Sequence, residues 1–168
     1  LLALAQELRN ITREFGARLF VNDRVDVAIA ADADGVHLGT GSMPVHSVRE
    51  LVGDDLLIGA SAHNIEEAWQ AETEGADFIT FGPVNSTPSK AEYGSPVGID
   101  SLKVLINRIS IPIYAIGGVK SGNIYQLLTA GAFGVSMISG ILAESDIRES
   151  ARQMLDAINR TLAGERQS

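Results

Sequence analysis

One short unit recurs along this chain and constrains its fold more than any other feature. Ala33-Asp34-Gly35, Gly75-Ala76-Asp77 and Gly131-Ala132-Phe133-Gly134 each follow a helix-like stretch and lead into an apolar run. Each of those runs ends in Gly or Ser. A strand–helix unit used repeatedly implies an α/β fold with a parallel sheet. The candidate strands are 18–21, 35–38, 57–60, 77–81, 113–116 and 135–138. They are mostly apolar rather than strictly alternating, as parallel strands covered on both faces should be.

Helices fill the intervals. Leu1, Leu4, Ala5, Leu8, Ile11 and Phe15 recur at helical spacing, and Gly16 supplies a stop. Ser42 with Pro44 opens a helix. Asn64 with Glu67 forms a capping-box pattern that Gly75 closes. Further helices are expected over 101–108, 121–130 and 146–162, with a frayed tail over 165–168. Trp69 and Met154 fall on helical faces and are expected in the core or an interface. A closed eight-stranded barrel needs two strands more than these six, whereas an open doubly wound sheet needs none. The pattern leaves both open.

At 168 residues the chain suits one domain with a sizeable core, and 45% hydrophobic with 20% charged residues is a globular composition. There is no cysteine, which rules out disulfides, a thiolate nucleophile and cysteine-ligated metal, and makes the cytoplasm the default location. No apolar run approaches a membrane span, and Glu7 and Arg9 interrupt the first segment where a signal peptide would be apolar. A formal charge of −8 disfavours nucleic acid and acidic membranes as partners. A phosphorylated small molecule stays compatible, because local donors can bind it against the global sign.

Chemistry in parallel α/β folds gathers at the carboxyl ends of strands. Those ends read Asn22-Asp23-Arg24, Gly39-Thr40-Gly41-Ser42, Ser61-Ala62-His63-Asn64, the loop from Gly82, Gly117-Gly118 and Ser139-Gly140. The last two lie in consecutive units, with Thr87, Ser89 and Lys90 upstream. Together they point to phosphate held by backbone N–H groups, although each glycine pair alone could serve only a tight turn. Asp23 suits either a helix cap or an Mg²⁺ ligand, since Mg²⁺ favours one or two carboxylates plus substrate phosphates. His37 reads as a neutral histidine packed inside a barrel, His63 as a residue able to line a site, and His46 as exposed. No pair of histidines has zinc-motif spacing.

In order and spacing, N22-D23-R24, A33-D34-G35-V36-H37-L38-G39, S61-A62-H63, E74-G75-A76-D77, F81-G82-P83-V84, I116-G117-G118 and M137-I138-S139 resemble the thiamine phosphate synthase family and its thiazole tautomerase relatives. The resemblance runs over nearly all of residues 1–164. It implies a (β/α)₈ TIM barrel and a Mg²⁺-dependent transferase of thiamine biosynthesis. Such an enzyme couples 4-amino-2-methyl-5-pyrimidinylmethyl diphosphate to 4-methyl-5-thiazolylethyl phosphate, releasing pyrophosphate. It further implies that Lys90 and Ser61 are catalytic and that Asn22, Thr87, Ser89, Gly118, Ile138 and Ser139 bind substrate. Asp23 would take the metal, and a homodimer is expected.

Departures from the family pattern set the alternatives. Ser42 stands where the family carries a second metal-binding aspartate, which weakens that position as a ligand. Ser86 replaces a proline of the family loop and Ser89 its second threonine, so that the loop keeps both hydroxyls, at Thr87 and Ser89. Pro83 stands where a tautomerase has its histidine. The family's first strand, first helix and second strand, with a diphosphate-gripping Q-x-R-x-K motif, have no counterpart in this sequence. Residues 1–168 are therefore expected to form a single barrel domain incomplete at its N-terminus. The alternatives are a tautomerase-like paralogue and a non-catalytic thiazole-phosphate-binding protein.

Overall fold

The computed structural model describes residues 1–87 and 95–164. Six strands form one all-parallel sheet: β1 (Phe20–Asn22), β2 (Gly35–Leu38), β3 (Leu57–Ala62), β4 (Phe78–Phe81), β5 (Ile113–Ile116) and β6 (Gly134–Ser136). Their spatial order is β1-β2-β3-β4-β5-β6, each strand paired with its successor. A doubly wound sheet reverses its order at a switch point. This sheet does not, so the fold is the partial barrel type and the open doubly wound option falls.

Eight helices lie between and after the strands among the described residues: α1 (Leu2–Glu14), α2 (Val25–Ala30), α3 (Val45–Val52), α4 (Ile65–Thr73), α5 (Gly98–Ile106), α6 (Ile124–Thr129), α7 (Ser139–Leu142) and α8 (Ile147–Leu162). The core sits between sheet and helices. Val36, Ile58, Ile79 and Ala115 on the strands and Val48, Leu102 and Leu127 on the helices are fully buried there. Among the described residues no helix is long and apolar enough to cross a membrane.

The recurring unit has a structural basis. Asp34 takes the backbone N–H of Leu19 at 2.7 Å and Arg9 Nη1 at 2.6 Å. Asp77 takes the backbone N–H of Ile58 and Arg49 Nη2, both at 2.6 Å. In each case an aspartate just before a strand ties the start of the preceding strand to an arginine of a helix.

The opposite face of the sheet carries rings and glycines in alternation. Phe78 lies edge-on to Phe20 at 5.1 Å and to Tyr114 at 5.5 Å, and His37 lies 6.0 Å from Phe78. Gly59 pairs with both His37 and Phe78. A Cβ on Gly59 would stand 2.2 Å from the Phe78 ring, and one on Gly134 would stand 2.8 Å from Tyr114. Glycine leaves the space that the neighbouring ring occupies.

Several expected boundaries shift. The first strand covers Phe20–Asn22 rather than 18–21. The last covers Gly134–Ser136 rather than 135–138, because Ile138 turns to φ −119°, ψ −71° as the N-cap of the short α7. Pro44 is the N-cap of α3 rather than its first helical residue. Trp69 lies outside the core of this chain, 60% exposed on α4, while Met154 is in the core.

Candidate active site

The carboxyl ends of the strands surround a cleft of about 820 Å³. Asn22, Asp23, Ser61, Thr87, Gly118, Ile138 and Ser139 all line it. These residues span most of the chain, and the sequential sheet brings them to one rim. Ser89 and Lys90 lie outside the described residues.

Asp23 is the one carboxylate among the described lining residues. The backbone there is left-handed, φ 61°, and its N–H donates to the His37 carbonyl at 3.0 Å. The Ser42 hydroxyl donates to Asp23 Oδ1 and accepts the Gly39 N–H at 2.7 Å. Ser42 therefore buttresses Asp23 from the β2 loop. Asp23 does not cap α2, whose N-cap Arg24 makes no side-chain cap bond.

The donor set constrains any metal. Among the described residues there is no cluster of three or more His, Cys, Asp or Glu able to hold one. A single exposed carboxylate with an adjacent hydroxyl fits Mg²⁺, which keeps waters and binds through one or two carboxylates plus phosphate oxygens. It does not fit a cation needing a full protein cage.

Gly117 and Gly118 adopt φ 92° and 61°. A Cβ on Gly117 would lie 2.5 Å from Pro83, and one on Gly118 would lie 2.7 Å from both Asn85 Cβ and the Ser86 carbonyl. The loop from Gly82 closes onto them through Val84 N–H to Ile116 O at 2.8 Å and Asn85 N–H to Gly117 O at 3.2 Å. These glycines thus serve packing and cleft shape together. Asn123 fixes the turn, donating to Gly118 O at 2.8 Å and accepting the Lys120 N–H at 2.9 Å.

The cleft is lined by further groups beyond the strand-end motifs. His37 is half-buried, and burial pushes its imidazole below the ordinary value, with the Asp23 carboxylate opposing. That direction favours the neutral form, and His37 lines the cleft rather than an isolated core. Thr80 and Arg18 also line the cleft, and no motif marks either of them. His63 lines the wall, its Nδ1 3.2 Å from Glu67 Oε2, which also accepts the His63 backbone N–H at 2.7 Å. His46 is exposed on α3, as expected.

Comparison with known proteins agrees with this geometry. A family model described as thiamine monophosphate synthase matches residues 1–141. A Geobacter sulfurreducens relative is 56% identical over 155 residues, which are 92% of this chain and 73% of that one. The thiamine-phosphate synthase of Chloroflexus aurantiacus is 47% identical, covering 89% of this chain and 69% of its own. The solved structure of thiamine phosphate pyrophosphorylase from Pyrococcus furiosus superposes with a TM-score of 0.88 at 37% identity, over 96% of this chain and 77% of that one. By matched family, shared sequence and superposed fold, the chain belongs to the thiamine monophosphate synthase family.

Proposed function

We propose that this protein is a thiamine phosphate synthase whose six strands form an arc of a single eight-stranded (β/α) barrel domain. Its substrates are an aminopyrimidine methyl diphosphate and a thiazole phosphate. The observation that carries the reading is the gathering of Asn22, Asp23, Ser61, Thr87, Gly118 and Ser139 on one cleft rim. Family membership supports the chemistry.

Each residue then has a task. Thr87 and Ser89 hold the thiazole phosphate by their hydroxyls, and Gly118, Ile138 and Ser139 offer it backbone. Ser61 contacts the pyrimidine. Asn22 and Asp23 face the diphosphate; Asp23 would hold Mg²⁺, with Ser42 steadying Asp23. The metal supplies charge neutralisation of the phosphates when bound. Lys90 places a point charge on the departing diphosphate.

The bonds balance without a further reactant. The bond from the pyrimidine methylene carbon to the diphosphate oxygen breaks, and its electron pair leaves with diphosphate. The thiazole nitrogen lone pair then forms the new C–N bond, giving the thiazolium of thiamine phosphate. The acid-poor lining suits this chemistry, because Asp23 alone among its described residues repels the anions.

Pyrophosphate release is expected only with both substrates and Mg²⁺ present. Lys90→Ala should lower kcat by roughly a hundredfold or more, the scale of losing one positioned donor to a developing anion. An unchanged rate would remove Lys90 from the mechanism, and turnover of one substrate alone would refute the coupling reaction.

A further inference from the structure

Thr80 is the one polar side chain in the buried core among the described residues, 7% exposed. It interrupts the apolar strand Phe78–Phe81. A buried hydroxyl is costly unless its hydrogen bonds are made. Two cleft residues make them: His37 Nε2 lies 3.0 Å from Thr80 Oγ1, and Ser61 Oγ lies 3.4 Å from it. The contact with Ser61 follows from register, since Ser61 and Thr80 are direct partners across β3 and β4.

A hydroxyl has one proton to give. Where Thr80 donates to His37 Nε2, it accepts from Ser61, and Ser61 offers the cleft only lone pairs. Where Nε2–H donates to Thr80, Thr80 donates to Ser61, and the Ser61 proton turns toward the cleft. The imidazole tautomer thus decides whether Ser61 is an acceptor or a donor. An aminopyrimidine carries an amine donor and ring-nitrogen acceptors at different ring positions, so that choice selects which of these groups faces Ser61.

We propose that Thr80 is a positioning residue that couples the tautomer of His37 to the hydroxyl of Ser61 and so fixes the orientation of the bound aminopyrimidine. The inference rests on Ser61 contacting the pyrimidine, as argued above. Thr80 acts through Ser61 and takes no part in bond making.

The test compares the full-length wild type with Thr80→Val, which removes the hydroxyl at constant shape, and Thr80→Ser, which retains it. Thr80→Val should lower kcat/KM for the pyrimidine diphosphate about tenfold, with KM for the thiazole phosphate unchanged, and Thr80→Ser should recover most of the loss. In ¹⁵N spectra taken above pH 6.5, the ordinary histidine value, His37 (assigned by its loss in His37→Gln) should show one tautomer in the wild type and a mixture in Thr80→Val. Equal losses for both substrates, an unchanged kcat/KM, or no recovery in Thr80→Ser would overturn the proposal. A wild type that releases no pyrophosphate refutes the synthase function separately. The spectra then decide the coupling, and identical His37 signals in wild type and Thr80→Val overturn it. Should Thr80→Val not fold, two exchanging tautomers in the wild type do the same.

Discussion

Arg49 shows how much one side chain can hold. Its Nε and Nη2 donate to the Gly75 carbonyl at 3.1 and 2.8 Å, and its Nη1 donates to the carbonyls of Gly53 and Leu56 at 2.6 and 3.2 Å. Nη2 also reaches Asp77. One guanidinium thus satisfies the ends of α3 and α4 and the loop into β3. Arg49→Ala should lower unfolding stability by about 2–3 kcal/mol, read from urea denaturation, because it strands several partners at once. Arg49→Lys should recover little, since an ammonium lacks the planar fork; full recovery would show that charge alone matters. His37 makes a second case. Its folded value lies below the unfolded 6.5, so the unfolded chain binds the extra proton more readily as pH falls. The stability it contributes is full above pH 6.5 and is lost as pH drops through the folded value. His37→Gln should flatten that part of a stability–pH curve, and an unaltered slope would place the titration elsewhere. At this scale the strand-end residues were readable because they follow apolar runs. Thr80 was not, because threonine is an ordinary strand former and its partners lie 43 and 19 residues away. The arginines that grip Asp34 and Asp77 were hidden likewise, 25 and 28 residues off.

Among the elements, α4 has the most fully specified start. Asn64 Oδ1 accepts the Glu67 N–H at 2.8 Å, and Glu67 reaches back to the His63 N–H and to Asn64 Nδ2, both at 2.7 Å. The expected capping box is present, shifted by one residue on its return arm. It matters beyond α4, because the same glutamate orients His63 on the cleft wall. Asn64→Ala should cost about 1 kcal/mol in thermal or urea unfolding, whereas Asn64→Asp should cost much less. Equal losses would mean that the cap is not the source. Asp146 starts α8 by the same device, accepting the Glu149 N–H at 2.9 Å. A cap such as Asn64 with Glu67 joins residues three apart, so sequence can show it, although Asp23, a cap candidate by type, does not cap α2. The ends of β1 and β6 are set by pairing with β2 and β5, and a single strand's own residues do not encode that.

For the molecule as a whole, strand order was the decisive fact. Helices and strands alternate alike in barrels and doubly wound sheets, so the distinction lies only in which distant strands pair. The interlocked rings and glycines enforce one such pairing. Gly59→Ala would drive a methyl into the Phe78 ring, since its Cβ would meet that ring at 2.2 Å. It should destabilise by about 1–3 kcal/mol, and Phe78→Leu in the same chain should relieve part of that cost in a double-mutant cycle. Strict additivity would show that the two residues do not meet. The cleft rim has a consequence of a different kind. Its residues run from Asn22 to Ser139 and come from the ends of strands spread across the whole sheet. No stretch of two or three strands carries the rim. Turnover in increasing urea should therefore vanish with the sheet itself rather than with the fraying of a helix. The enzyme assay then becomes a gauge of whether the entire arc is standing.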